Sequence, residues 1–86
     1  MPNLDISNLS VLKTLVCEAN AIETINFHEQ SLLEHINCNS NELSIIDVSS
    51  SPNLRYFDCA ANELIALDLS LNTQLVNLSF SRNNLT

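Results

Sequence analysis

The sequence predicts a β-rich solenoid: a coil of about four 21-residue turns, with short parallel strands on two sides and little or no helix. Three observations carry this reading. Apolar residues recur at a spacing of 21, with no insertion or deletion in any series. Within each period they alternate with the two-residue step of a strand. No 3.6-residue periodicity runs long enough to compete with that step.

The cysteines mark the period at Cys17, Cys38 and Cys59, and the next step lands on Phe80. The same step joins Leu12, Leu33, Leu54 and Leu75, and it joins Leu15, Ile36, Phe57 and Leu78. It joins Met1, Ile22, Leu43, Leu64 and Leu85. Leu4, Ile25, Ile46 and Leu67 form a further series, as do Ile6, Phe27, Val48 and Leu69. One unit reads L-x-x-L-x-C-x-x-N-x-L-x-x-L-D-L-S-x-x-x-x. It is nested, because its two halves share an L-x-x-L-x-L core and Asn72 repeats Asn62 ten residues on. The 86 residues therefore make one domain, with repeats at about 1–21, 22–42, 43–63 and 64–84.

Each unit supplies its elements in order. In the first strand Leu15 and Cys17 point inward while Thr14, Val16 and Glu18 point outward. In the second, Ile25 and Phe27 point inward and Asn26 outward. A single turn cannot cover its own apolar face, so neighbouring turns supply the core. The column Asn20, Asn41, Asn62 and Asn83 faces inward at a turn, where an amide both donates to and accepts from unpaired backbone. The chain has no glycine, so another residue type must take the left-handed turn conformations, and asparagine is the expected one.

This pattern resembles the leucine-rich repeats, and among them the bacterial 21-residue nested class called IRREKO, LxxLxLxxNxLxxLDLxxNxx. Cysteine at the third strand position is similar to the cysteine ladder of the internalin J branch of Listeria surface proteins. The resemblance runs from Met1 to Thr86. It implies a right-handed coil whose first-strand face is the ligand surface. It also implies a bacterial origin, and a cell-surface or secreted location if the chain belongs to a longer protein. Met1-Pro2-Asn3-Leu4-Asp5 shows no basic or apolar leader, so the sequence itself leaves the location open.

Ten acids against three bases give a net charge of −7. Nucleic acid, which needs a basic footprint, is not an expected partner. Membrane insertion is not expected either, because no apolar run approaches the roughly 20 residues of a span. Without glycine no phosphate-binding loop or dinucleotide fingerprint can be written. The three cysteines contain no CxxC pair, so no zinc site is expected, and their inward positions suit a small buried hydrophobe. Parallel neighbours also fit disulfide geometry badly. The outward row Asp5, Asn26, Asp47 and Asp68 offers one carboxylate per turn at most, too few oxygens for calcium, and suits a solvated row whose aspartates and following serines bond local backbone. No cofactor is expected. His28 and His35 lie on opposite strands, and Asp58 beside His35 has no evident nucleophile except Ser79 on the same face. No catalytic residue is assigned, and the chain is read as no enzyme.

A non-catalytic interaction module binding a protein or glycan partner is the expected function. The contact residues assigned are Thr14, His35, Asn37, Tyr56, Asp58 and Asn77, with Tyr56 as the anchoring type of side chain. The alternative is a self-associating scaffold, or a truncated repeat array with no ligand of its own. No polar capping repeat is visible, so both ends are expected to present apolar side chains and open strand edges, which fits either a piece of a longer repeat protein or end-to-end self-association. On the other strand face Ile45 and Ala66 make a small apolar spot.

Overall fold

The structure, a computed structural model, describes residues 3–6, 11–27 and 31–85. Six short strands form: β1 (Asn3–Asp5), β2 (Thr14–Val16), β3 (Thr24–Asn26), β4 (His35–Asn37), β5 (Tyr56–Asp58) and β6 (Asn77–Ser79). No helix occurs among the described residues. The strands build two parallel sheets, one ordered β2-β4-β5-β6 and one pairing β1 with β3. Register follows the sequence period: Thr14 pairs with His35, His35 with Tyr56, and Tyr56 with Asn77. In the smaller sheet Leu4 pairs with Ile25. Parallel neighbours cannot be joined by a hairpin. Here the remainder of each 21-residue copy is the crossover.

The core lies between the two sides and is filled by the predicted columns. Leu33, Ile36, Cys38, Leu43, Leu54, Phe57, Cys59 and Leu64 have no exposed surface. Ile22, Phe27 and Val48 close the second side, with Ile25 and Ile46 beside them. Burial declines towards the last copy, where Leu67, Leu69, Leu75 and Leu85 are only half-buried against the cluster.

Two expectations need correction. Strands were expected on both sides of every copy, yet residues 45–47 and 66–68 form none, although Ile46 and Val48 are buried between exposed Ile45 and Asp47. The Asp47 carboxylate accepts a hydrogen bond from the Ser49 N–H at 2.9 Å, and Asp68 does the same for Ser70 at 2.9 Å. Such Asx turns bend the chain immediately after the extended stretch. Ile46, Val48, Leu67 and Leu69 pack these two segments onto the core.

The second correction concerns the turns. Positive φ falls on Ala19 (59°), Ser40 (60°), Ala61 (56°) and Arg82 (59°), a column one residue before the asparagines, and on Ala21 (54°). Asparagine was the expected occupant, but its side chain is committed to inward hydrogen bonds, so the preceding residue takes the left-handed conformation. For a residue with a Cβ this costs about 1–2 kcal/mol. Glycine there would relieve the strain but gain freedom in the unfolded chain, an offset of about 0.4–1 kcal/mol. Ser40→Gly and Ala61→Gly are therefore each expected to stabilise by about 0.5–1 kcal/mol. A rise in the urea midpoint at unchanged slope is the readout, and a fall would contradict the strain.

Candidate functional site

The four-stranded sheet sets its outward residues in rows. One row is Thr14, His35, Tyr56 and Asn77, and the next is Val16, Asn37, Asp58 and Ser79. All six residues assigned from sequence thus lie on one sheet face. The structure brings His35 and Tyr56 into direct contact, with ring centroids 4.2 Å apart and planes at 14°. His35, Asn37, Tyr56 and Asp58 are half-buried, while Thr14 and Asn77 at the flanks are exposed. Stacking along the row holds the two half-buried rings together.

Polar side chains around the rings bond across neighbouring copies. Asp58 Oδ2 accepts from Asn39 Nδ2 at 3.0 Å, and Asp58 Oδ1 accepts from the Ala60 N–H at 3.1 Å. Asn37 Oδ1 accepts from the Asn39 N–H at 3.2 Å, and Asn37 Nδ2 donates to Glu18 Oε2 at 3.4 Å. Asn39 and Glu18 therefore belong to the same surface, although neither was among the assigned contacts. Their place two residues past Asn37 and Val16, on the same outward face, is the signal that could have found them. The carboxylate of Asp58 is directed to Asn39 and Ala60, while the His35 ring packs on Tyr56. His28 lies outside the described residues.

Beneath the strand ends the asparagine column forms a ladder. Asn41 Oδ1 accepts from the N–H of Asn20 (3.0 Å) and of Ile22 (2.9 Å), 21 and 19 residues earlier. Its Nδ2 donates to Cys17 O at 3.1 Å and Cys38 O at 2.9 Å. Asn62 repeats this one copy on, accepting from Leu43 N–H and donating to Cys38 O, Cys59 O and Ala60 O. Asn83 takes the Leu64 N–H and donates to Cys59 O, Phe80 O and Ser81 O. The ladder fixes the chain just after each strand and so fixes the register of the outward rows. In the opposite turn, buried Asn72 donates to Val48 O and Ser51 O, both at 2.9 Å.

Cys17, Cys38 and Cys59 are buried and free. Burial pushes the Cys59 thiol up to about 11, with the Asp58 carboxylate adding to it. Cys38 is raised further, first by burial and then by Cys59, Cys17 and Asp58, and Cys17 is raised by burial. In the unfolded chain a thiol titrates near 8.5. Above that pH the unfolded state sheds protons that the folded state retains, so stability falls as pH rises. Stability is expected to be level below about pH 8.5 and to decline between about 8.5 and 11. Urea unfolding across that range checks it, and Cys38→Ala/Cys59→Ala should flatten the slope.

Other surfaces are less organised. The side chain of Asp5 is outside the described residues, and Asp47 and Asp68 are occupied by their Asx turns. Its bonds to Ser70 also hold the Asp68 carboxyl below its ordinary range. No group of three or more metal-ligating side chains occurs among the described residues. The apolar spot at Ile45 and Ala66 is enlarged by Ile65, and the two isoleucines are 76 % and 63 % exposed. No described helix is long and apolar enough to cross a membrane. Comparison with protein-family models, with curated proteins and with solved structures found no match to this chain.

Proposed function

We propose that the chain is a leucine-rich-repeat solenoid, a right-handed coil of about four 21-residue turns, acting as a non-catalytic interaction module. It binds a protein or glycan partner through the sheet face that carries Thr14, His35, Asn37, Tyr56, Asp58 and Asn77. The observation that supports this reading is the stacked His35–Tyr56 pair, centred in a row of in-register polar side chains on an open face. A rigid aromatic pair with fixed polar neighbours is suited to contact: it offers apolar area at little entropy cost, and the surrounding amides add direction. The 21-residue sequence period and the matching parallel register support the coil.

The test is selection of binders from a glycan array and from a displayed peptide library, followed by titration with variants. Tyr56→Ala is expected to weaken a selected binder by about 2 kcal/mol, roughly thirtyfold, with Asp58→Ala contributing less. Both variants should keep the parent's circular dichroism, and its unfolding free energy within about 1 kcal/mol. Binders that ignore Tyr56, His35 and Asp58 alike would move the interface elsewhere.

A further inference from the structure

We propose that the β6 end of the molecule is a docking surface for a second copy of this chain, joined head to tail so that β6 of one copy pairs in parallel with β2 of the next. The surface is separate from the His35–Tyr56 face, and the proposal does not depend on what binds there. Its first support is an interruption of burial. Phe57 and Cys59 are 0 % exposed, but their counterparts one period on, Leu78 and Phe80, are 39 % and 47 % exposed. With Ala66, Leu67, Leu69 and Leu85 they line an apolar groove of about 410 Å³. This is the face that each earlier copy buries against its successor.

The second support is that the other edge of the same sheet matches it. β2 and β6 are the two edge strands, and their residues sit in the same columns of the period. Within the chain each copy donates backbone hydrogen bonds to the next: Cys17 N–H to Asn37 O, Cys59 N–H to Ser79 O, and Ala61 N–H to Ser81 O. Continuing that pattern, the Phe80 and Arg82 N–H groups meet Val16 O and Glu18 O of the second copy. The Lys13 N–H of the second copy meets Val76 O. Asn77 then lies against Thr14 as Tyr56 lies against Asn77.

Polar and charged groups agree with this occupant. Asn41 Oδ1 serves the N–H groups of the residues 21 and 19 before it. Asn20 of the second copy stands in the first of these relations to Asn83, and its Nδ2 reaches Phe80 O as Asn41 reaches Cys17 O. Exposed Arg82, one of only three basic side chains, falls beside exposed Glu18 of the second copy. A partner of unrelated sequence would have to supply all of these groups afresh. A head-to-tail contact of this kind does not close on itself, so it builds an open row rather than a dimer.

Light scattering on the full chain tests it. The average mass should more than double over a roughly hundredfold rise in concentration, as mass action requires. Phe80→Asp should return the sample to monomer with its circular dichroism unchanged. Should that variant fail to fold, polarity is read by cross-linking instead. Asn77→Cys and Thr14→Cys chains should cross-link through a short bis-maleimide when mixed, and neither should when alone. A mass that stays monomeric at every concentration overturns the proposal. So does a mass that stops at two, or cross-linking of Asn77→Cys with itself, since either marks a tail-to-tail pair. Loss of self-assembly with partner binding intact would leave the strand-face reading standing, and the reverse outcome would leave this one.

Discussion

Replacing Asn62 with leucine is expected to remove about 3–6 kcal/mol, half or more of what a chain of this length holds. The side chain is buried, and it satisfies the Leu43 N–H and the carbonyls of Cys38, Cys59 and Ala60. Leucine has nearly the same shape and none of the bonds. It therefore orphans the Leu43 N–H, at about 1–3 kcal/mol, and removes one hydrogen bond, worth about 0.5–1.5 kcal/mol, from each of three carbonyls that keep Asn41 Nδ2, Asn83 Nδ2 and the Ser40 N–H as donors. Asn62→Asp separates shape from chemistry: it keeps an acceptor for Leu43 but turns a carboxylate towards three carbonyl oxygens, and should be at least as damaging. Asn20→Leu is the control. Asn20 is exposed and its amide donates to Cys17 O and Glu18 O, groups close to solvent, so its loss should cost under about 1 kcal/mol. Urea unfolding of the three variants orders them. Equal losses at positions 20 and 62 would mean that the ladder is not what secures the turns.

That contrast also marks what could be read from the sequence. The period placed the strands around Leu15, Ile36, Phe57 and Leu78 and their parallel register, because inward alternation is a direct record of burial. It placed Asn41 and Asn62 inside, because an amide repeated among buried apolar residues must find backbone to bond. It did not place the left-handed residues. Residue preference pointed to asparagine, but Asn41 and Asn62 cannot serve both roles, and Ser40 and Ala61 took the strain. Nor did it foresee that residues 45–47 and 66–68 would stay outside the sheets, since both stretches keep the inward–outward alternation of a strand. Of the outward face, the row positions were legible. The His35–Tyr56 stack and the Asn39–Asp58 bond were not, because they depend on rotamers that spacing does not encode.

Phe57→Ala is expected to cost about 3–5 kcal/mol, whereas Leu78→Ala, in the same column one period later, should cost about 1 kcal/mol or less. By sequence the two positions are equivalent. They differ in what lies on either side. Phe57 sits between Ile36 and Leu78 with no exposed surface, so truncation opens a cavity that flanking copies cannot collapse into. Leu78 is covered on one side only and leaves a surface dent that water fills. In a protein held together by contacts between neighbouring copies, the worth of a residue is set by its number of neighbours rather than by its identity. The difference gives the comparison a second use. If β6 docks on a further copy, Leu78 becomes interior to the joined sheet, and the cost of Leu78→Ala should grow with protein concentration while that of Phe57→Ala stays constant. Urea midpoints for both variants at low and high concentration would show it: parallel behaviour of the two would mean that no second copy covers Leu78.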